Sequence, residues 1–198
     1  MSRHQIEWDR AAHLESQFPR DGKPQVAFAG RSNVGKSSLL NSLFGRRLAL
    51  VSGTPGKTRS INFYSVDGRF YLVDLPGYGY ARRSQAERAK FSALIGRFLE
   101  HNPSLCGVAH LVDIRHAPGE LDVRIAHYLK ALPPAVLTVL TKADKLSRGA
   151  GGAQRLRVAS DLAIDAAAVL PFSVVDGRGR QELWSWILDL MGKTKPHE

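Results

Sequence analysis

Residues 30–37 read GRSNVGKS, and this stretch decides the fold. It fits G-x-x-x-x-G-K-[ST], a loop whose peptide N–H groups turn inward around phosphate oxygens. The glycines let the chain curl that tightly. Upstream, QVAFAG (25–30) follows Pro24 and reads as a short buried strand. Downstream, KSSLLNSLFG (36–45) reads as a helix with one apolar face, stopped by Gly45. The helix start adds its positive end to the phosphate site. Gly30, Arg31, Ser32, Asn33, Val34, Gly35, Lys36, Ser37 and Ser38 are therefore the candidate phosphate-binding residues. Lys36 would reach the β- and γ-phosphates, and the Ser37 hydroxyl would ligate Mg²⁺. A Gly-rich turn with an incidental lysine would not require a strand before it and a helix after it.

Outward from this loop, apolar strand-like runs alternate with helical ones. INFYSV and RFYLVD flank Asp67-Gly68, a two-residue hairpin turn. SQAERAKFSALIGRFLE is helical, GVAHLVDI a strand and GELDVRIAHYLKAL a helix. AVLTVLT is a strand, 152–168 a helix, VLPFSV a strand and GRQELWSWILDLM the last helix. The pattern predicts an α/β fold. Its mostly parallel sheet has six strands, one of them an antiparallel edge strand, and helices cover both faces. Residues 1–198 make one nucleotide-binding domain, with an N-terminal extension over 1–23 and a tail over 192–198. Segments 45–60 and 77–84, rich in glycine and basic residues, are expected to be mobile loops.

Ligands of such sheets bind at the carboxyl ends of the strands, and each further motif falls there. TKAD (Thr141, Lys142, Ala143, Asp144) matches the [NT]-K-x-D loop of guanine-nucleotide binders. A carboxylate at Asp144 can accept from both guanine N1–H and N2–H₂, a donor pair that adenine lacks. The Lys142 stem would lie along the ring. Phe172, Ser173 and Val174, after the last strand, would bring a backbone N–H near Ser173 to guanine O6. A serine there also suits an ordinary turn. DLPG (Asp74, Leu75, Pro76, Gly77) ends a strand beside the phosphate site. Asp74 would hold Mg²⁺ through water, and the Gly77 N–H would sense the γ-phosphate. TPGKTRS contains Gly56, Lys57, Thr58, Arg59 and Ser60. One threonine in it should bind Mg²⁺ and the γ-phosphate, and Thr58 is preferred to Thr54 because it lies nearer the next strand.

GRSNVGKSSLLN, TPGKT, DLPGYGYA, LVDIRH and TKADKL together resemble the EngB (YihA/YsxC) family of ribosome-biogenesis P-loop GTPases. The resemblance spans nearly the whole chain. It implies a Ras-like fold, Mg²⁺-dependent GTP binding and slow hydrolysis. It also implies work on large-ribosomal-subunit precursors and rRNA, and a link to bacterial cell division and septation. Thr58 matches the family's switch threonine. FSVVDG departs from the usual Ser-Ala or Ser-Ser, which bears on the O6 contact alone. The catalytic set is then Lys36, Thr58 and Gly77.

Where many such enzymes place a water-orienting glutamine after the glycine, this chain has Tyr78. A phenol at the end of a rigid ring cannot orient water as an amide does. Unaided hydrolysis should be slow and open to stimulation by a partner's arginine, an RNA group or a monovalent cation. Similar GTPases with asparagine at the position of Asn33 are activated by K⁺, so Asn33 is either a K⁺ ligand or a cap of its own loop. YGYARR (Tyr78 to Arg83) sets two aromatics beside two arginines, a pairing suited to looped RNA, unless a tyrosine packs beneath the loop. DIRH (Asp113 to His116) reads as loop-anchoring hydrogen bonds. Cys106 reads as a buried apolar residue. Trp184 and Trp186 read as one core and one partly exposed residue.

Net charge is +10 over 198 residues, and the excess clusters in GRRLALVSGTPGKTRS, ARRSQAERAK and SRGAGGAQRLR, which favours a polyanionic partner. One cysteine excludes an internal disulfide and fits a reducing, cytoplasmic setting. No run has the length of a membrane span and no apolar leader opens the chain. The expected form is a cytoplasmic monomer without stable membrane insertion. The alternative function is a GTPase switch acting on a division or membrane-associated protein. A nucleoside-phosphate kinase would need a lid and second-substrate site for which little chain is spare.

Overall fold

The computed structural model describes residues 4–49, 60–78 and 85–193, with only the backbone course of 85–91. Its elements are β1 (Ile6–Ala12), β2 (Gln25–Gly30), α1 (Lys36–Phe44), β3 (Ile61–Val66), β4 (Phe70–Asp74), α2 (Gln85–His101), β5 (Leu105–Asp113), α3 (Glu120–Lys130), β6 (Ala135–Thr141), α4 (Arg148–Asp161), β7 (Val169–Pro171) and α5 (Arg180–Lys193). Short 3₁₀ turns fall at Glu15–Gln17, Ala143–Lys145 and Ala166–Ala168.

The sheet has seven strands in the order β1-β3-β4-β2-β5-β6-β7. β2, β4, β5, β6 and β7 run parallel, and β3 is antiparallel to both β4 and β1. β3 is thus the antiparallel strand foreseen from the hairpin, but it is not the edge. β1 covers it, inside the segment read as an N-terminal extension. β1 gives little sequence signal because only its first and last residues, Ile6 and Ala12, are buried. Its charged middle is typical of an edge strand that must not recruit further strands. Pairing holds it instead. Gln5 N–H donates to Asp67 Oδ1 at 2.7 Å, Asp67 N–H donates to the Gln5 carbonyl at 2.8 Å, and Arg46 donates to the Ile6 carbonyl. Asp67 and Gly68 both have positive φ, 52° and 66°, as the two-residue turn requires.

Alternate residues of the central strands enter different cores. Val26, Phe28, Leu72 and Val139 pack with Leu39, Leu40 and Leu43 of α1 and Leu183 and Ile187 of α5. Ala27, Ala29, Val73 and Val108 pack with Phe98 of α2 and Leu129 of α3. A third cluster joins Ala126 of α3, Leu140 of β6 and Val158 of α4. Helices therefore cover both faces. Trp184 is buried and Trp186 partly exposed, as expected. Cys106 is half-buried rather than buried, and its thiol donates to the Gln25 carbonyl at 3.2 Å.

α4 begins earlier and ends earlier than its glycine-rich sequence suggests. Ser147 caps it, its hydroxyl accepting from Ala150 N–H at 3.3 Å. The cap outweighs the low helix propensity of Gly149, Gly151 and Gly152. Among the described residues no helix is long and apolar enough to cross a membrane.

Candidate active site

The parallel register aligns the strand ends that carry the motifs. Phe28 of β2 pairs with Asp74, Gly30 with Leu111, Asp113 with Thr141 and Leu140 with Pro171. The phosphate loop, DLPG, DIRH, TKAD and FSVV segments consequently emerge along one edge of the sheet. The phosphate loop leaves β2 between β4 and β5, where the strand order reverses direction. Open α/β sheets bind their ligands there.

The loop turns through two left-handed residues, Asn33 at φ 65° and Gly35 at φ 103°, before α1 starts. The last residue of β6 and the one after it brace it. Thr141 Oγ1 donates to the Val34 carbonyl at 2.7 Å, and Lys142 Nζ donates to the Asn33 carbonyl at 3.1 Å. Lys142 also donates to Asp113 Oδ2 at 2.7 Å, and Arg115 binds the same carboxylate through Nε at 2.9 Å and Nη2 at 2.7 Å. DIRH is thus an anchor, as its sequence suggests. Burial alone would raise the Asp113 carboxyl pKa. The bonds from Arg115 and Lys142 outweigh it and hold Asp113 well below the usual carboxylate range. Asn33 is exposed, with its backbone carbonyl engaged by Lys142.

At the base end, Lys142 itself is left-handed at φ 62° and opens the 3₁₀ turn carrying Asp144. Asp144 Oδ1 accepts from the Ser173 hydroxyl at 3.0 Å, and Lys145 lies 3.3 Å from Oδ2. Burial pushes the Asp144 carboxyl up, but Ser173 and Lys145 bring it below its ordinary value. The Ser173 N–H donates to the Arg178 carbonyl at 2.9 Å, while its hydroxyl accepts from the N–H groups of Val175 and Asp176 at 3.1 and 3.2 Å. Ser173 therefore positions Asp144, and its own N–H is already engaged. Phe172 is buried, and its carbonyl accepts from Ala143 N–H at 3.0 Å, locking the two base-side loops together.

At the other end, Lys36 opens α1 and forms a buried ion pair with Asp74 at the end of β4. Leu75 is buried, and its N–H donates to the Phe28 carbonyl at 3.1 Å. Pro76 and Gly77 follow. A methyl group added to Gly77 would lie 3.0 Å from Ser32 N and Cα, so any larger residue would push the two segments apart by a few tenths of an ångström. Tyr78 then pairs with the phosphate loop. Its N–H donates to the Gly30 carbonyl at 3.2 Å and its carbonyl accepts from Ser32 N–H at 3.1 Å.

The Tyr78 ring is partly buried between β5 and α3. Its hydroxyl donates to Asp122 Oδ1 at 3.0 Å and lies 2.8 Å from His110 Nε2. Nothing in the motif sequences announces these two partners. His110 is an interior residue of β5 and Asp122 lies in the first turn of α3. Gly56, Lys57, Thr58 and Arg59, and Tyr80 to Arg83, lie outside the described residues. Ser60 lies just before β3, its hydroxyl donating to Asn62 Oδ1 at 3.2 Å.

Comparison with known proteins agrees with this geometry. Residues 25–142 match the model of a family described as 50S ribosome-binding GTPases. A probable GTP-binding protein EngB of Pediococcus pentosaceus is 40% identical over 195 residues, covering 98% of this chain and 100% of that protein. The crystal structure of a probable GTP-binding protein EngB superposes with a TM-score of 0.69 at 21% identity, over 86% of this chain and 99% of that one. Era in complex with MgGDPNP and nucleotides 1506–1542 of 16S ribosomal RNA superposes with a TM-score of 0.68 at 22% identity, over 88% of this chain and 59% of that one. From this agreement of site and sequence, the chain belongs to the EngB family of GTP-binding proteins and is a GTPase.

Proposed function

We propose that the chain is a slow GTP-driven switch in assembly of the large ribosomal subunit, engaging precursor particles through rRNA in its GTP form and leaving them after hydrolysis. The observation that carries this reading is the match to a family described as 50S ribosome-binding. The net charge of +10 and the 16S ribosomal RNA seen with Era, a protein of the same fold, support the rRNA contact within it. A link to cell division and septation belongs to the same reading, whether direct or through failed ribosome supply. A cytoplasmic monomer acting as one domain over residues 1–198 fits this role.

In the proposed reaction the backbone of residues 30–38 and Lys36 hold the phosphates. Asp144, oriented by Ser173, reads the guanine edge. Because the Ser173 N–H is engaged, the O6 contact is assigned to Val174. The Ser37 hydroxyl and the Asp74 carboxylate are hard oxygen donors next to Lys36, and they fit Mg²⁺, with Asp74 acting through water. Mg²⁺ so held would neutralise charge developing on the β- and γ-phosphate oxygens. Lys36 and Asp74 must then exchange each other for phosphate and metal. Thr58 would complete the metal and γ-phosphate contacts, and Gly77 would meet the γ-phosphate. Asn33 offers its exposed side-chain carbonyl to K⁺, so replacing K⁺ by Na⁺ should lower the hydrolysis rate.

Co-sedimentation with purified large subunits and their precursors tests the reading, with GDP set against a non-hydrolysable GTP analogue at two salt concentrations. Binding that requires the analogue and survives moderate salt is expected. Weak binding regardless of nucleotide, lost with salt, would reduce the +10 charge to unspecific adhesion and end the proposal.

A further inference from the structure

The hydroxyl of Tyr78 has no part in the proposed reaction, yet it meets two side chains, Asp122 and His110. A phenol has one proton to give. Given to Asp122, it leaves the oxygen lone pairs to accept from His110, which must then carry its proton on Nε2. His110 Nδ1 is left buried without a partner. Burial pushes the imidazole down to about 4, which keeps it neutral, although Asp122 opposes the shift. The same burial, reinforced by Asp122, holds the phenol protonated far above its ordinary range.

Asp122 has two further contacts. Its Oδ2 accepts from Gly119 N–H at 3.0 Å and faces Arg31 of the phosphate loop at 3.8 Å. A closed circuit results: Tyr78 backbone to Gly30 and Ser32, Tyr78 hydroxyl to Asp122, and Asp122 to Arg31. A parallel strand buried on both faces is normally apolar, so a fully buried histidine in β5 calls for a reason beyond packing.

We infer that Tyr78, His110 and Asp122 form an anchor that holds Gly77 docked on the phosphate loop and so raises the preference of the site for a nucleoside triphosphate over a diphosphate. The inference rests on the proposed contact between Gly77 and the terminal phosphate. With Gly77 docked against Ser32, the triphosphate does not have to draw the segment in. If the anchor is broken, the docked state becomes one of several. Triphosphate affinity then falls by the fraction of time docking is lost. A diphosphate makes no use of Gly77 and is indifferent to the change. Tyr78 is thus a positioning residue acting through Gly77.

The test is equilibrium titration of the full chain with GDP and with a non-hydrolysable GTP analogue. Tyr78→Phe keeps the ring and removes both buried bonds of the hydroxyl, the charge-assisted one to Asp122 and the one accepted from His110. It should weaken the analogue about tenfold while GDP binding holds. Asp122→Asn should shift the ratio the same way. The double variant should fall short of the sum, since both substitutions break one circuit. An unchanged ratio, an equal loss for both nucleotides, or a relative gain for the analogue would each overturn the inference. Gly77→Ala separates the two layers. If it shifts the ratio and Tyr78→Phe does not, the anchor alone fails. If neither does, the contact between Gly77 and the terminal phosphate fails, and the anchor with it.

Discussion

Asp144 and Lys142 at the base end, and Lys36 and Asp74 at the phosphate end, are all charged groups in contact with partners, but the two sets of partners differ. Ser173 binds Asp144 and leaves its other oxygen near Lys145, while Lys142 is fixed by Asp113 and the Asn33 carbonyl. In the proposed reaction Asp144 keeps its bond from Ser173 while it reads guanine. Lys36 and Asp74 bind one another, and both are the groups that phosphate and metal require in the proposed reaction. The base end is a finished template, whereas the phosphate end holds its charges in mutual storage. Breaking a buried ion pair by removing one partner costs about 3–5 kcal/mol, whereas swapping partners avoids that penalty. An enzyme that must bind one base and distinguish two phosphate states gains from a rigid end beside an exchangeable one.

Four substitutions or conditions sharpen or break this contrast. Lys36→Ala should have the largest effect. It strands Asp74 and removes the cation facing the phosphates, with an expected loss of about 10²–10³-fold in single-turnover hydrolysis. A loss below about tenfold would mean that Lys36 is a structural partner of Asp74 and little more. Asp144→Asn should follow, weakening GDP by about 100-fold and favouring xanthosine diphosphate, whose edge matches an amide; calorimetric titration of both nucleotides reads this directly. If the two bind alike, the base end is not the template described.

Lys142→Met should act more mildly and without regard to phosphate number, because it loosens a brace common to both nucleotides. GDP and the GTP analogue should each weaken about tenfold. A selective loss of one would place Lys142 in the exchangeable group instead.

The smallest effect expected is a pH slope. His110 is held neutral at a pKa of about 4 in the folded protein, while an exposed histidine titrates near 6.5. The unfolded chain therefore takes up the proton first. Stability is fully present above pH 6.5 and is lost as pH falls from there towards 4. Urea unfolding across that window should show the slope in the wild type and a flatter line in His110→Gln. Equal slopes would mean that another group governs it.

The phosphate loop, the guanine loop and the alternation of strands and helices were legible because each is a local pattern whose residues act within a few positions of one another. Asp144, Lys36 and Asp74 could be named from such patterns, and the register of β2, β4, β5 and β6 brings them to one edge. β1 escaped notice because an edge strand with two buried residues lacks the apolar alternation that marks a strand. The FSVV sequence points to a backbone N–H near Ser173 for guanine O6 without choosing one; the turn closed by the Arg178 carbonyl engages the Ser173 N–H and sets the hydroxyl on Asp144.

The sequence alone determined which residues the proposed chemistry draws on: a Gly-rich curl for phosphate, a carboxylate for guanine and a tyrosine where water-orienting amides usually stand. Only the tertiary structure decided what that tyrosine does. Its partners, His110 and Asp122, lie 32 and 44 residues away on different elements. Contacts between side chains that distant carry no periodicity or spacing in the chain. They exist because the sheet register and the packing of α3 bring three polar groups into one water-poor space, where each must find a partner.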